Sequence, residues 1–204
     1  MKIKGLISGL ILLLTVSVPV MADWQQAADE VEQSIEEMLA KVSPYRGDVD
    51  ADLEPLYLAL AQVTQDTVDY PYIAKIVMGK YYRRASAQDK LDFAQVFRRT
   101  LIKTYAKTLV SFNIKAYEVI EPRSVSPKPD KQKVTVKVLS EDGKAYSIVN
   151  YMVKTDEQWK LVNIVLDGFN LRVTFKNQFS NIAQNTKGDV SAAIAQWSAK
   201  MSKK

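Results

Sequence analysis

The sequence predicts an α+β domain in which helices and strands occupy separate stretches of the chain. Hydrophobic residues recur at helical spacing up to about residue 112, the period then falls to two, and helical spacing returns after Gly168. Runs of strands that do not alternate with helices are typical of the α+β class. The 204 residues, 47% hydrophobic and 25% charged, are sufficient for one domain with its own core.

The first 22 residues have the pattern of a secretory signal peptide. Lys2 and Lys4 precede an apolar run over 6–18, and Ala22 supplies a small residue at the expected cleavage site. A retained membrane anchor is the less favoured alternative, because the run is short for a span. Cleavage would leave residues 23–204, and the formal charge of +5 would become +3 because two lysines are removed. A bacterial periplasm is the expected location.

Four helices are predicted before the sheet, each with apolar residues three and four positions apart. Ser43-Pro44 ends the first, Pro71 fits the first turn of the third, and Ser86 with Asp89 forms an N-terminal cap for the fourth. The predicted helices cover 24–42, 51–64, 69–81 and 87–112. The apolar stripe of the longest helix consists of Leu91, Ala94, Phe97, Leu101, Tyr105, Leu109 and Phe112.

Four strands are predicted next, as an antiparallel meander. Asp142-Gly143 and Asp156-Glu157 mark its tight turns. The predicted strands cover 114–124, 132–139, 145–154 and 158–166. Two helices follow over 170–186 and 189–201, separated by Gly188. The single domain at 23–204 thus has a helical part (24–112), a sheet (114–166) and C-terminal helices (170–201).

Two of the strands carry apolar residues on both faces, which a sheet with one wet face would not show. In the third strand, Val149, Tyr151 and Val153 alternate with Tyr146, Ile148 and Met152. In the fourth, Leu161 and Val165 are expected on one face and Ile164 and Leu166 on the other. Two interpretations remain open: a sheet covered by helices on both faces, or a sheet curled around an apolar cavity.

The absence of cysteine and histidine narrows the possible chemistry. It excludes disulfides, thiolate nucleophiles, imidazole bases and metal sites that need Cys or His ligands. Paired carboxylates, a Ser-Lys arrangement or an all-oxygen metal site remain as enzyme chemistry.

Motifs along the whole domain resemble the MlaC family. The segment 72–83 (YIAKIVMGKYYR) resembles its most recognisable signature, and residues 86–105 continue it at the expected spacing. Further matches are Trp159, the segment 167–171 (DGFNL), the segment 175–179 (FKNQF) and Gly188. Three positions depart from the family pattern: Asn163 stands for the usual Asp, Asn170 for Ser and Lys176 for Arg. These departures put in doubt a fixed ion pair between the last strand and the following helix.

The resemblance implies an NTF2-like fold in which a curved antiparallel sheet of about four strands and about six helices enclose an apolar lipid pocket. It implies a periplasmic phospholipid carrier that maintains outer-membrane lipid asymmetry. The implied partners are phospholipid, an outer-membrane lipoprotein-porin complex and an inner-membrane ABC transporter with an MCE-domain protein. A monomer is expected, with no enzymatic activity, no cofactor apart from the bound phospholipid as cargo, no metal and no nucleic acid.

A lipid pocket requires a wall of aliphatic and aromatic side chains. Tyr105 and Tyr151 are the best candidates for mouth or wall positions, because a phenol is apolar in its body and polar at its tip. For each residue, ordinary core packing is the alternative. The predicted lining is Val77, Met78, Phe97, Leu101, Tyr105, Val149, Tyr151, Val153, Ile164, Leu166, Phe169 and Leu171.

Basic residues concentrate between positions 75 and 107. Arg99, Lys103 and Lys107 are spaced by four and share one helix face, which predicts a docking surface for a partner or for anionic headgroups. A solvated helix face is the alternative. A nucleic-acid site is disfavoured because the chain carries an export signal and no binding motif. The full set is Lys75, Lys80, Arg83, Arg84, Arg98, Arg99, Lys103 and Lys107.

Two other classes of function compete with the lipid carrier. An enzyme could use a carboxylate such as Asp167 as a base, but it would need a polar group deep in the pocket. A solute-binding protein for small hydrophobic compounds, feeding an ABC transporter, would share the fold and differ only in its pocket.

Overall fold

The computed structural model describes residues 19–48, 51–124 and 126–201. Its helices are α1 (Pro19–Val42), α2 (Glu54–Thr67), α3 (Tyr70–Met78), α4 (Ala87–Ser111), α5 (Leu171–Asn185) and α6 (Val190–Met201). Its strands are β1 (Ile114–Ile120), β2 (Lys131–Ser140), β3 (Ala145–Thr155), β4 (Gln158–Leu166) and β5 (Phe169–Asn170). Short 3₁₀ turns cover Ser43–Tyr45 and Gly79–Arg83.

The predicted signal peptide is only partly within the described residues. Residues 1–18 lie outside them, and residues 19–22 form the start of α1. Within the described ranges, no helix combines the length and the apolar character that crossing a bilayer requires.

The predicted α+β class is confirmed, with local differences at several elements. Helix α2 covers Glu54–Thr67 instead of 51–64. Helix α3 ends at Met78, three residues before the predicted end, because Gly79 adopts a left-handed φ of 56° and a 3₁₀ turn follows. Strand β1 ends at Ile120, before Pro122, which has no N–H for the ladder. The sheet has five strands rather than four, because Phe169–Asn170 pairs with the end of β4.

Side-chain caps explain where three helices begin. Asp69 accepts a hydrogen bond from the backbone N–H of Tyr72 at 2.9 Å and starts α3. Ser86 and Asp89 form the predicted capping box at the start of α4. Asn170 accepts from the N–H of Val173 at 3.1 Å and starts α5.

The sheet is an antiparallel meander in the order β1-β2-β3-β4-β5. A bulge in β4 changes which side chains share a face, because Tyr151 lies opposite Asn163 whereas Met152 lies opposite Leu161. Leu161 therefore joins Ile164 on one face, and the prediction that it shares a face with Val165 was wrong. The bulge adds one residue, so the simple alternation of odd and even positions fails there.

Helix α1 covers one face of the sheet, and α2 packs against α1 and α4. Both contacts follow from apolar stripes at helical spacing. The sheet core consists of Trp24, Ala27, Ala28, Val31, Val134, Val136, Val138, Met152 and Trp159. The α2 core consists of Val42, Leu56, Leu60, Ile102 and Ala106.

A third core, the helical core, is built by α3, α5, α6 and the first half of α4. Its centre is Trp197, whose ring lies 5.6 Å from that of Phe93 and 6.0 Å from that of Phe179. These rings are fully buried, and burial of each large apolar side chain contributes about 1.5–3 kcal/mol. The molecule therefore has a sheet half and a helical half, joined by α4.

Candidate functional site

Three of the predicted pocket residues are enclosed in the helical core. Val77, Met78 and Phe97 are fully buried, and the ring of Phe97 lies 5.3 Å from that of Phe175. Leu101, half-buried, packs against the same core one turn further along α4. These contacts are what ordinary core packing, the alternative to a pocket position, requires of the four residues.

The strand residues predicted for the pocket lie on two different faces of the sheet. Ile164 and Leu166 lie opposite Asn150 and Ile148, on the face that α1 covers. The remaining residues pair with the alternate residues of β2, on the opposite face, which we call the outer face. These are Val149, Tyr151 and Val153. The five side chains therefore form two surfaces rather than one wall.

Half-buried apolar side chains lie on the end of α4 and on the face of the sheet that α1 covers, which we call the inner face. The rings of Phe112 and Tyr146 meet edge-to-face with centroids 5.1 Å apart, which joins the stripe of α4 to β3. Tyr105 lies two turns earlier on the same stripe. From these placements we infer an apolar cleft here, and we assign to it Tyr105, Phe112, Tyr146, Ile148, Ile164, Leu166 and Phe169.

Phe169 forms the exposed edge of the apolar cleft. It lies opposite Leu166 in the sheet, yet its side chain is 73% exposed. Asp167 holds the preceding turn, because its Oδ1 accepts the N–H of Ser147 at 2.7 Å and its own N–H donates to the Ser147 carbonyl at 2.9 Å. The carboxylate suggested as an enzymatic base is thus a turn residue at the surface.

Tyr105, predicted at the mouth or wall of a pocket, lies on α4 two turns before Phe112. Its side chain is half-buried, and burial raises the pKa of its phenol. An apolar body with a polar tip suits the boundary between an apolar cleft and water.

The lining predicted from the sequence did not include Phe112, Tyr146 and Ile148, which we assign to the cleft. The signals were present, because Phe112 ends the apolar stripe of α4, and the other two lie on the second apolar face of β3.

A buried amide connects the sheet to the helical half. Asn163 is buried, and its Oδ1 accepts the backbone N–H of Arg172 at 3.2 Å. Leu171, half-buried, is the first residue of α5, directly beside this bond. Because this bond runs from the Arg172 backbone to the Asn163 side chain, Asn163 can link β4 to α5 without the ion pair that the family pattern suggested.

A polar groove of about 730 Å³ lies between α1, α2 and the β3–β4 turn. Its acidic members are Asp29, Glu30, Glu37, Asp66 and Glu157. Burial raises the pKa of Glu30. Across the described part of the chain, no group of three or more acidic side chains is arranged to hold a metal ion. The sequence prediction did not include this acidic groove, although α1 shows acids at helical spacing.

The basic residues predicted to share one face of α4 are all exposed, but they differ in their contacts. Lys103 forms an ion pair with Glu54 at 2.7 Å, and its Nζ lies 5.1 Å from the centre of the Tyr57 ring. Arg99 is exposed, and Lys107 lines a shallow recess at the end of α4. Arg99 and Lys107 therefore present their charge more openly than Lys103.

The fold defines a class: α+β proteins in which helices pack against an antiparallel sheet. Residues 32–199 match the family model described as MlaC protein, and the chain belongs to this family.

Two similar proteins are consistent with this assignment. The toluene tolerance protein ttg2D of Pseudomonas putida is 24% identical over 196 residues, which are 96% of this chain and 90% of that protein. A solved phospholipid-binding protein from Ralstonia solanacearum, in complex with a phospholipid, shares 21% identity and has a TM-score of 0.73. Their alignment covers 87% of this chain and 99% of that one. This likeness shows the shared fold.

Proposed function

We propose that this protein is a periplasmic phospholipid carrier rather than an enzyme, and that the acyl chains enter the apolar cleft. The observation that carries the proposal is the half-buried row of aromatic and aliphatic side chains between α4 and the sheet, with Phe169 exposed at its edge. The family assignment supports it, as does a similar fold solved with a bound phospholipid.

The physics of acyl chains explains why such a carrier is needed. A two-tailed phospholipid has about thirty methylenes, and at ~0.8 kcal/mol each their exposure to water would cost roughly 24 kcal/mol. Transfer through water is therefore very slow without a protein that shields the tails. The exposed Phe169 suits an entrance where tails leave a membrane or a partner.

Mass spectrometry of an organic extract of the purified protein tests the cargo. We expect diacyl phospholipid at near one molecule per chain. Leu166→Asp places a charge in the cleft and should abolish co-purification, whereas Leu58→Asp, at a 69% exposed position on α2, should not. Ile164→Trp is a second variant that fills the cleft without adding a charge. Full lipid retention in both cleft variants would contradict the proposal.

We propose further that the carrier moves lipid between an outer-membrane lipoprotein-porin complex and an inner-membrane ABC transporter with an MCE-domain protein. The exposed basic face of α4 is the proposed docking surface. Reversing Arg99 and Lys103 to Glu should weaken binding to these complexes more than it reduces lipid retention. Glu54→Gln is the matched control, because it removes the Lys103 ion pair without reversing charge. Unchanged binding to both complexes would count against this surface.

A solute-binding protein for small hydrophobic compounds is the second candidate. The observation that favours it is the name of the relative from Pseudomonas putida, which refers to toluene tolerance. The same extraction distinguishes the two candidates. A protein that carries no phospholipid and binds only small aromatic compounds would favour this alternative.

A further inference from the structure

The outer face of the sheet carries a row of lysines along β2. The residues Val134, Val136 and Val138 are buried beneath α1, so the alternate residues of this strand point away from it. Those include Lys131, Lys133 and Lys137, all of them exposed. Their spacing of two and four residues places them in a line.

Apolar side chains lie directly beside this lysine row on β3. Val149, Tyr151 and Val153 are cross-strand neighbours of Thr135, Lys133 and Lys131, respectively. All three are half-buried, and the Nζ of Lys133 lies 5.2 Å from the centre of the Tyr151 ring. The helix that packs on β2 among the described elements is α1, on the opposite face. The β2 side of the outer face therefore presents a patch of exposed lysines beside half-buried Val and Tyr side chains. At β4 the same face meets the start of α5, through the buried Asn163 opposite Tyr151.

The patch has a net positive charge. Glu118, opposite Lys137, is the one acidic side chain paired across β2 on this face. Within the described residues, none of the three lysines forms an ion pair. Lys160 of β4 lies at the margin of the patch, where its Nζ donates to the Asp66 carbonyl and to Gln158. The lysine row is thus available to an external anionic surface.

We propose that the outer face, through Lys131, Lys133, Lys137, Val149, Tyr151 and Val153, rests on the surface of an anionic phospholipid bilayer. Lysine is a flexible, strongly hydrated point charge and is depleted from protein–protein interfaces, so a diffuse layer of phosphates fits it better than a protein surface does. Tyrosine flanked by aliphatic residues suits the headgroup region, where one end of the ring is apolar and the other wet. This surface lies on the other side of the sheet from the apolar cleft and is separate from the basic face of α4.

Vesicle sedimentation tests the proposal. The purified full protein is mixed with phosphatidylcholine vesicles, with and without phosphatidylglycerol. Replacing Lys131, Lys133 and Lys137 by Gln should reduce binding to the anionic vesicles about a hundredfold, since each lysine near such a surface contributes about fivefold. The matched control replaces Arg99, Lys103 and Lys107 by Gln and removes the same charge from α4. This control variant should retain most of the wild-type binding to the anionic vesicles.

The outcomes separate this proposal from its alternatives and from the proposed cargo. Equal loss in both triple variants, or equal wild-type binding to neutral vesicles, overturns it. So does a lysine-row variant that binds vesicles normally but fails to bind a protein partner, because the face would then be a protein-docking surface. Tyr151→Ser should reduce vesicle binding severalfold while the lysines remain. Phospholipid in the organic extract should be unchanged throughout, so a failure here does not bear on lipid carriage.

Discussion

Asp89 joins the beginnings of two helices that are distant in sequence. Its Oδ1 accepts from the Ser191 hydroxyl at 2.7 Å, and its Oδ2 accepts from the Ser86 backbone N–H at 2.9 Å. The bonds from Ser191 and Ser86 hold the pKa of the Asp89 carboxyl below its usual value of 3.8. The resulting stability is present above the unfolded-state pKa and is lost as the pH falls through the folded-state pKa.

Substitution of Asp89 should show this dependence of stability on pH. Asp89→Ala should lower the free energy of unfolding at pH 7 by about 1 kcal/mol, the usual cost of losing a helix cap. The difference should shrink below the ordinary Asp pKa, where the wild type also loses the charge. Urea unfolding at neutral and acidic pH measures both values. Asp92→Ala, one turn further along α4, is the control, and a pH-independent difference for Asp89→Ala would rule out this explanation.

Gly79 ends α3 in a backbone conformation that residues with a side chain rarely adopt. Its φ of 56° and ψ of −124° are disfavoured for L-residues, and a Cβ would lie 3.2 Å from the Cε of Lys176. Gly79→Ala should therefore destabilise the fold by about 1–3 kcal/mol, mostly through backbone strain. The double variant with Lys176→Ala removes the contact but not the strain. If the double variant unfolds at the same temperature as the wild type, the lost stability comes from the contact with Lys176 and not from backbone strain.

At the level of elements, the sequence predicts the bounds of α4 and β4 almost to the residue, whereas α2 covers Glu54–Thr67 instead of the predicted 51–64. Helix α4 was predicted over 87–112 and runs over Ala87–Ser111, because a capping box and an unbroken stripe both mark it. Strand β4 was predicted within its bounds, but its bulge was not. A bulge arises from pairing with β3, and one strand's own residues do not determine that pairing.

The helix α6 holds the helical core together through Trp197. Its ring lies 6.1 Å from that of Phe97 and 6.3 Å from that of Phe175, and it is fully buried. Trp197→Ala should destabilise the protein by about 3–5 kcal/mol. Trp197→Phe should cost less, since the indole Nε1 has no hydrogen-bond partner among the described residues. Chemical denaturation checks the order, with the exposed Gln196→Ala as control, and equal losses for both Trp197 variants would contradict it.

At the scale of the whole molecule, α4 connects the helical core, the α2 core and the apolar cleft. Phe97, Ile102 and Tyr105 lie on successive parts of this one helix and reach the three regions in turn. A ligand in the cleft would contact the sheet half and the helical half together. Binding should therefore stabilise the folded protein as a unit.

Removal of bound lipid should lower the unfolding temperature. A ligand that binds only the folded state at a hundredfold excess over its Kd adds about 2.7 kcal/mol. Delipidated protein should unfold earlier, and readdition of phospholipid should restore the transition. Leu166→Asp should show no such shift, whereas Leu58→Asp should behave as the wild type. If delipidated and loaded protein unfold at the same temperature, phospholipid does not bind the folded state preferentially, which contradicts the proposed function.

The sequence by itself determined the α+β class, the order of the elements, the capping box at Ser86 and the resemblance to the MlaC family. These depend on local periodicity, local hydrogen bonds and motif spacing, which neighbouring residues define. The tertiary structure decided which predicted apolar residues share a surface. It placed Val77 and Phe97 in a closed helical core and separated Tyr151 from Ile164 across the sheet. The physical reason is that periodicity shows that two faces differ, whereas strand register and helix packing decide what each face contacts.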